Sequence, residues 1–249
     1  MLIHRTQDPQ WLANAYVVAP AANGPALWID GQGQHDELHA FVAEQGLTID
    51  TILLTHHHID HLEGVEEVRA RYGAPTCASA QAKDLIAGVV TVDRVLGETE
   101  HLTAGGLDIR CLPTPGHAAG HLAFLIDGSD VFTGDVLFNG TVGGTRAPGH
   151  TTLSDLRTSV VDVLLSLPDA TVVHPGHTLP TTIAAEKADN PFVRYWQGEL
   201  APLNEAVVAW GDAATLLVWG PDYDGGHKAL VRWADGTEDI VGGSKVERS

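Results

Sequence analysis

The run Thr55-His56-His57-His58-Ile59-Asp60-His61 constrains this chain more than any other feature. It follows directly on Thr51-Ile52-Leu53-Leu54, a short apolar stretch without alternation, which reads as a strand buried on both faces. A chain leaving a strand keeps a period of two, so His56, His58 and Asp60 point the same way while His57 points elsewhere. His61 turns in from the start of the next helix. Three imidazoles and a carboxylate gathered at the end of a core strand are metal-ligand chemistry. Histidine is also unusually frequent: the 14 His equal the whole Lys+Arg total, and imidazole is the commonest metal-ligating side chain.

Three later segments fit the same site. Pro113-Thr114-Pro115-Gly116-His117 is a rigid turn presenting His117 after an expected strand ending at Leu112. Thr133-Gly134-Asp135 presents Asp135 at the end of another strand. His174-Pro175-Gly176-His177 presents His177 after a strand ending at Val173. Each is a strand, then Gly or Pro punctuation, then a ligand-type residue. Four such elements in order converge on one edge of a sheet, where sites tend to be built.

Around these motifs, strands and helices interleave, which makes the class α/β or layered α+β. Strands are expected at 14–19, 26–30, 51–54, 107–112, 122–127, 130–133 and 170–173. Helices are expected at 35–45, 62–72 and 153–167, with a further helical stretch from about Thr182 towards Trp210, interrupted near Asn190-Pro191. From Ala213 the texture changes to short strands, at 214–219, 228–233 and 238–241, separated by Gly/Asp turns. This predicts a main domain over residues 1–205 and a small β-barrel-like appendage over 213–249. Trp196, Trp210, Trp219 and Trp233 are expected to pack between helix and appendage.

Charge and composition exclude several functions. With 14 Lys+Arg against 32 Asp+Glu the formal charge is -18, so a polyanion is repelled at long range and nucleic acid or an anionic membrane is a poor partner. No apolar run is long enough to span a bilayer, and no signal peptide is visible at the start. The two cysteines, Cys77 and Cys111, do not make a disulfide framework and read as core strand residues; a cytoplasmic protein is the expectation. No G-x-S-x-G nucleophile motif occurs. A small-molecule substrate fits best, with a homo-oligomer formed through the appendage as a further expectation.

The order H-x-H-x-D-H, then P-G-H, G-D and G-H, resembles the metallo-β-lactamase superfamily. Within it the chain is most similar to the hydroxyacylglutathione hydrolase (glyoxalase II) branch, with Asn14-Ala15-Tyr16, Asp30-Gly31 and Asn190-Pro191-Phe192 as supporting features. The resemblance covers roughly residues 12–195 and implies an αββα sandwich carrying the β-rich appendage. It implies one metal on His56, His58 and His117, a second on Asp60, His61 and His177, and Asp135 bridging them. Zinc is the first expectation, with iron or manganese as alternatives. The activity implied is thioester hydrolysis by a hydroxide shared between the two cations, with Asp60 and Asp135 as the catalytic carboxylates. A lactonase or β-lactam hydrolase, and a persulfide dioxygenase with a single iron, are the alternatives.

Two departures from the relatives stand out. Thr178-Leu179-Pro180 follows His177 where Gly-Pro is usual, and Gly143-Gly144-Thr145-Arg146 replaces a loop that often carries Arg and Asp. Among the remaining histidines, His121 is placed to hydrogen-bond a ligand and His150 to approach substrate. His57 and His174 face away from the ligands, while His4, His35, His39, His101 and His227 read as solvated.

Overall fold

The computed structural model describes residues 1–31 and 35–248. Six strands form the first sheet in sequence order: β1 (Leu2–Gln7), β2 (Asn14–Ala19), β3 (Pro25–Ile29), β4 (Thr48–Leu53), β5 (Thr76–Ser79) and β6 (Arg94–Leu96). β1 to β3 pair antiparallel, whereas β3 to β6 pair parallel. The parallel steps need crossovers, and α1 (His35–Glu44), α2 (Val65–Tyr72) and α3 (Ala80–Leu85) supply helical ones. α2 stops at Gly73, whose φ of 67° is the left-handed conformation that glycine adopts freely.

The second sheet contains β7 (His101–Ala104), β8 (Leu107–Pro113), β9 (Leu122–Ile126) and β10 (Asp130–Gly134). A separate ribbon, β11 (Leu137–Phe138) and β12 (Thr141–Val142), precedes its last two strands, β13 (Val172–Pro175) and β14 (Thr181–Thr182). Its order is β14-β13-β10-β9-β8-β7. α4 (Leu153–Thr158) begins at a capping box, in which Thr152 and Asp155 bond each other's backbone, and the helical path continues in irregular turns to Ser166.

Apolar contacts define the layers. Tyr16, Val18, Leu27, Ile29 and Leu53 from the first sheet meet Ile109, Leu122, Phe124, Ile126 and Phe132 from the second. The outer face of the first sheet packs Trp28, Ile52 and Leu54 against Leu38, Val42, Val65 and Val68. The outer face of the second packs Leu125, Val131 and Val173 against Leu156, Val160, Ile183 and Phe192. This is the expected αββα sandwich, and residues 51–54 are buried on both faces as their composition demands. Cys77 and Cys111 lie in the middle layer as free thiols; burial pushes them up to about 11 and about 12.

The expected helical stretch towards Trp210 is shorter than its pattern suggested. α5 (Ile183–Asp189) and α6 (Pro191–Trp196) are real, with Asn190 capping α6 by accepting from the Phe192 and Val193 amides. Beyond Trp196, Gly198 and Pro202 break the helix, and β15 (Glu205–Ala209) is a strand with Val207 and Ala209 turned inward. It joins β16 (Asp212–Pro221), β17 (His227–Trp233), β18 (Glu238–Gly242) and β19 (Val246–Arg248) in a sheet ordered β18-β17-β16-β15-β19. One face of this tail sheet builds its own small core of Val207, Leu216, Ala229, Val231 and Val241, joined by Trp219 and Trp233. The other face places Leu217, Val218, Leu230 and Ile240 in the same cluster as Leu156, Phe192 and Trp196. Trp210 does not pack there; it is exposed, beneath the Arg146 and Lys245 cations. Among the described residues, no helix is long and apolar enough to cross a membrane.

Candidate metal centre

The seven expected ligands gather at the loops leaving β4, β8, β10 and β13, in two groups. His56, His58 and His117 form one; Asp60, His61, Asp135 and His177 form the other, with the ligand atoms of each group within 4.8 Å of one another. Asp135 faces both. Its Oδ2 lies 3.2 Å from His177 Nε2 and 3.4 Å from His117 Nε2, while its Oδ1 lies 3.2 Å from His61 Nε2. Asp60 Oδ2 is 3.5 Å from His177 Nε2 and 3.8 Å from His61 Nε2.

Each ligating imidazole is aimed by a hydrogen bond from its other nitrogen. His61 Nδ1 donates to Asp30 Oδ2 at 3.0 Å, His117 Nδ1 to the Gly144 carbonyl at 2.9 Å and His177 Nδ1 to the Leu12 carbonyl at 2.9 Å. His58 donates through Nε2 to the Pro148 carbonyl at 2.8 Å, leaving Nδ1 as its ligand atom. His56 Nδ1 lies 3.0 Å from Thr55 Oγ1, which itself donates to Asp30 Oδ2. The buried Asp30 carboxylate thus orients one imidazole in each group, and it also accepts from the Thr55 amide. In the sequence Asp30-Gly31 is only a feature of the resemblance, and nothing local marks Asp30 as the residue that orients ligands.

Glycine is required where the groups close together. A Cβ on Gly176 would lie 2.1 Å from Asp135 Oδ1, and one on Gly134, whose φ is 46°, would lie 2.5 Å from His121 Nε2. His121 accepts from the Asp135 amide through that Nε2, pairs with Thr114 Oγ1 through Nδ1 and stacks on His56. It fixes the Asp135 backbone, in line with its expected contact to a ligand. His150 is not placed as expected: its ring folds back on the Ala147 carbonyl of its own loop and does not line the site. His39 is not solvated either, because α1 turns it inward, where its Nδ1 is 2.7 Å from the Tyr72 hydroxyl. His174 is buried against Phe132 and bonds Asp130. The residue after His177, Thr178, holds a φ of 70°, the backbone that the usual glycine adopts without strain. Its carbonyl accepts from Asn14 and Arg5.

Electrostatics separates the two groups. Burial holds His56 well below the usual imidazole range and His117 down to about 3. Burial also opposes charge on His61 and His177, but the facing carboxylates win. Asp135, with Asp30, raises His61 well above its ordinary value, and Asp135 with Asp60 raises His177 to about 9. Asp135 itself is buried, which favours its neutral form, yet His177 and His61 hold it well below the usual carboxylate range. The fit to cations is direct. His56 Nε2, His61 Nε2 and Asp135 Oδ1 are buried and lack a hydrogen-bond partner among the described residues. Each such atom costs about 1–3 kcal/mol unless satisfied, and metal ions in the two groups would satisfy all three.

A cavity of about 560 Å³ opens over the ligands. Ile59, Phe138, Ala147 and Pro148 give it apolar walls, and Asp222, Tyr223 and Lys228 of the tail close one side. The Tyr223 ring stacks on His177 with centroids 4.1 Å apart. Burial, reinforced by nearby carboxylates, keeps its phenol well above the usual range, so it stays a hydrogen-bond donor. Nothing local in the sequence marks these tail residues: Pro221 to Gly226 reads only as a hairpin turn, and Lys228 only as the start of a strand.

The family model of the metallo-beta-lactamase superfamily matches residues 9–177, and the chain belongs to that superfamily of metal-dependent hydrolases. It is 30% identical over 232 residues to a hydroxyacylglutathione hydrolase of Brucella anthropi, covering 78% of this chain and 80% of the relative. Among solved structures, ETHE1 from Myxococcus xanthus is similar with a TM-score of 0.70 and 30% identity, over 80% of this chain and 88% of that one. TTHA1623 in a di-iron-bound form is similar with a TM-score of 0.65 and 34% identity, over 75% of this chain and 98% of the other.

Proposed function

We propose that the protein is a dinuclear metal-dependent thioesterase of the hydroxyacylglutathione hydrolase type, acting on a small acyl thioester. The observation that carries this reading is the position of Asp135, whose carboxylate is within 3.4 Å of imidazoles from both ligand groups. The likeness to the Brucella anthropi enzyme supports the choice of substrate class.

In this reading His56, His58 and His117 would hold one divalent ion, Asp60, His61 and His177 would hold the other, and Asp135 would serve both. Zinc is the first choice, with iron or manganese as alternatives. Bound there, the two ions supply hydroxide at neutral pH and Lewis-acid polarisation of the acyl carbonyl. Asp60, the more exposed of the two ligand carboxylates, orients the attacking water and receives its proton. The thiolate departs without a dedicated acid, because a thiol pKa of about 8.5 makes it a good leaving group. Ile59, Phe138 and Pro148 shield the acyl chain from bulk water.

The test is a hydrolysis panel of S-acyl thioesters, lactones and β-lactams on metal-reconstituted protein, with elemental analysis and an oxygen electrode alongside. The expected result is thioester turnover at two metals per chain, abolished by a chelator. Full activity after chelation would end the metal mechanism. One iron per chain with oxygen uptake on a persulfide would replace the reading with a dioxygenase.

A further inference from the structure

The matched family region ends at His177, yet Asp222, Tyr223 and Lys228 line the ligand cavity. Their packing is specific. Tyr223 lies nearly parallel to the His177 ring, with an interplanar angle of 20°, and Phe138 meets both rings edge-on. The Lys228 ammonium is 5.2 Å from the Phe138 ring centroid and 5.3 Å from that of Tyr223. It donates to the Val142 carbonyl at 2.8 Å and pairs with Asp222 at 2.9 Å. A buried ammonium persists only where it is paired; here the pairing ties β17 to β12 and fixes the tyrosine between them. The tyrosine is half-buried and lines the cavity together with Asp60, Asp135 and His177, so its phenol is available to a molecule bound there.

We propose that Tyr223 donates its phenolic hydrogen bond to the acyl oxygen of the substrate, and that Lys228 is the positioning residue that holds the tyrosine ring against His177. Tyr223 stacks on His177 and lines the same cavity as Asp60, His117 and Asp135, and in acyl hydrolysis the acyl oxygen is the substrate atom brought to the ligand groups. The inference rests on the hydrolase reading above and extends the substrate-binding surface into the tail. The ligand class is an acyl compound whose hydrolysis leaves a carboxylate.

The experiment compares wild type, Tyr223→Phe and the pair Lys228→Met with Asp222→Leu, which removes both members of the buried ion pair so that neither is left uncompensated. Metal content, melting temperature, the Kd of lactate for the metal-loaded protein and kcat/KM on the thioester panel are measured. Tyr223→Phe should keep its metals and melting temperature but bind lactate and turn over substrate about 10- to 150-fold less well, the usual scale of one hydrogen bond to a charged or developing charge. The ion-pair variant should lose a similar factor, and adding Tyr223→Phe to it should cost little more, because both act through one contact. Wild-type lactate affinity in Tyr223→Phe, or no measurable lactate binding by either protein, overturns the assignment. Tyrosine-dependent lactate binding without thioester turnover sinks only the thioesterase reading.

Discussion

The ligand cluster and the tail wall face each other across one cavity but are built on opposite plans. The cluster hangs from four strand ends of the sandwich, and each ligating imidazole is aimed by a backbone carbonyl, a hydroxyl or Asp30. The tail wall is a single turn held by one ammonium, one carboxylate and two stacked rings. The cluster's geometry is therefore fixed by many separate bonds, whereas the position of the wall rests on a few contacts made across the cavity.

The largest effect should come from the cluster. Asp135→Ala removes the carboxylate shared by both groups and should lower kcat on the order of a thousandfold while circular dichroism stays native. Near-normal turnover in that variant would erase the distinction between the two surfaces. Asp30→Asn keeps all seven ligands but loses the acceptor behind His61, and should weaken metal affinity about 10- to 100-fold in a competitive chelator titration. An unchanged titration would show that backbone contacts alone aim the ligands.

The tail can be broken differently. Leu230→Ala empties a fully buried position where the tail sheet meets the sandwich. It should cost about 2–5 kcal/mol in a denaturant titration, with metal stoichiometry unchanged. Because that cluster is continuous across both parts, wild type should melt in one transition; two resolved transitions would make the tail an independent unit. The smallest effect belongs to the tail edge, where Arg248 pairs with Glu205 and holds its carboxyl below the ordinary value. A depressed carboxylate stabilises above its unfolded pKa and loses that contribution as pH falls through the folded one. Glu205→Gln should therefore lower the melting temperature slightly at pH 7, with the deficit shrinking as the pH falls below the ordinary carboxylate range. A deficit that persists in acid would mean the edge is held by something other than this exposed pair.

The sandwich and its ligands are legible because four ligands share one histidine-rich run after an apolar strand, and His117, Asp135 and His177 each follow a strand end at a Gly or Pro turn, a pattern local enough to read from neighbours. β15 was misread as more helix: Glu205 to Ala209 is too short for its alternation to outweigh the Glu and Ala content of the approach. His39 looked solvated because its polarity was visible while the inward turn of α1 towards Tyr72 was not. Tyr223 and Lys228 carry no motif at all, and only the three-dimensional return of the tail onto β11 and β12 brings them to the ligands. Asp30 sat in plain view, but its partnership spans 25 residues to Thr55 and 31 to His61.

The sealed middle layer has a consequence for the chemistry proposed. Both sulfhydryls of the chain sit between the two sheets with ionisation suppressed by burial, and an unionised, enclosed sulfur neither attacks a disulfide nor accepts an acyl group. In the thioesterase proposed above, these two enclosed sulfurs would stay out of reach of the thiol that each turnover releases.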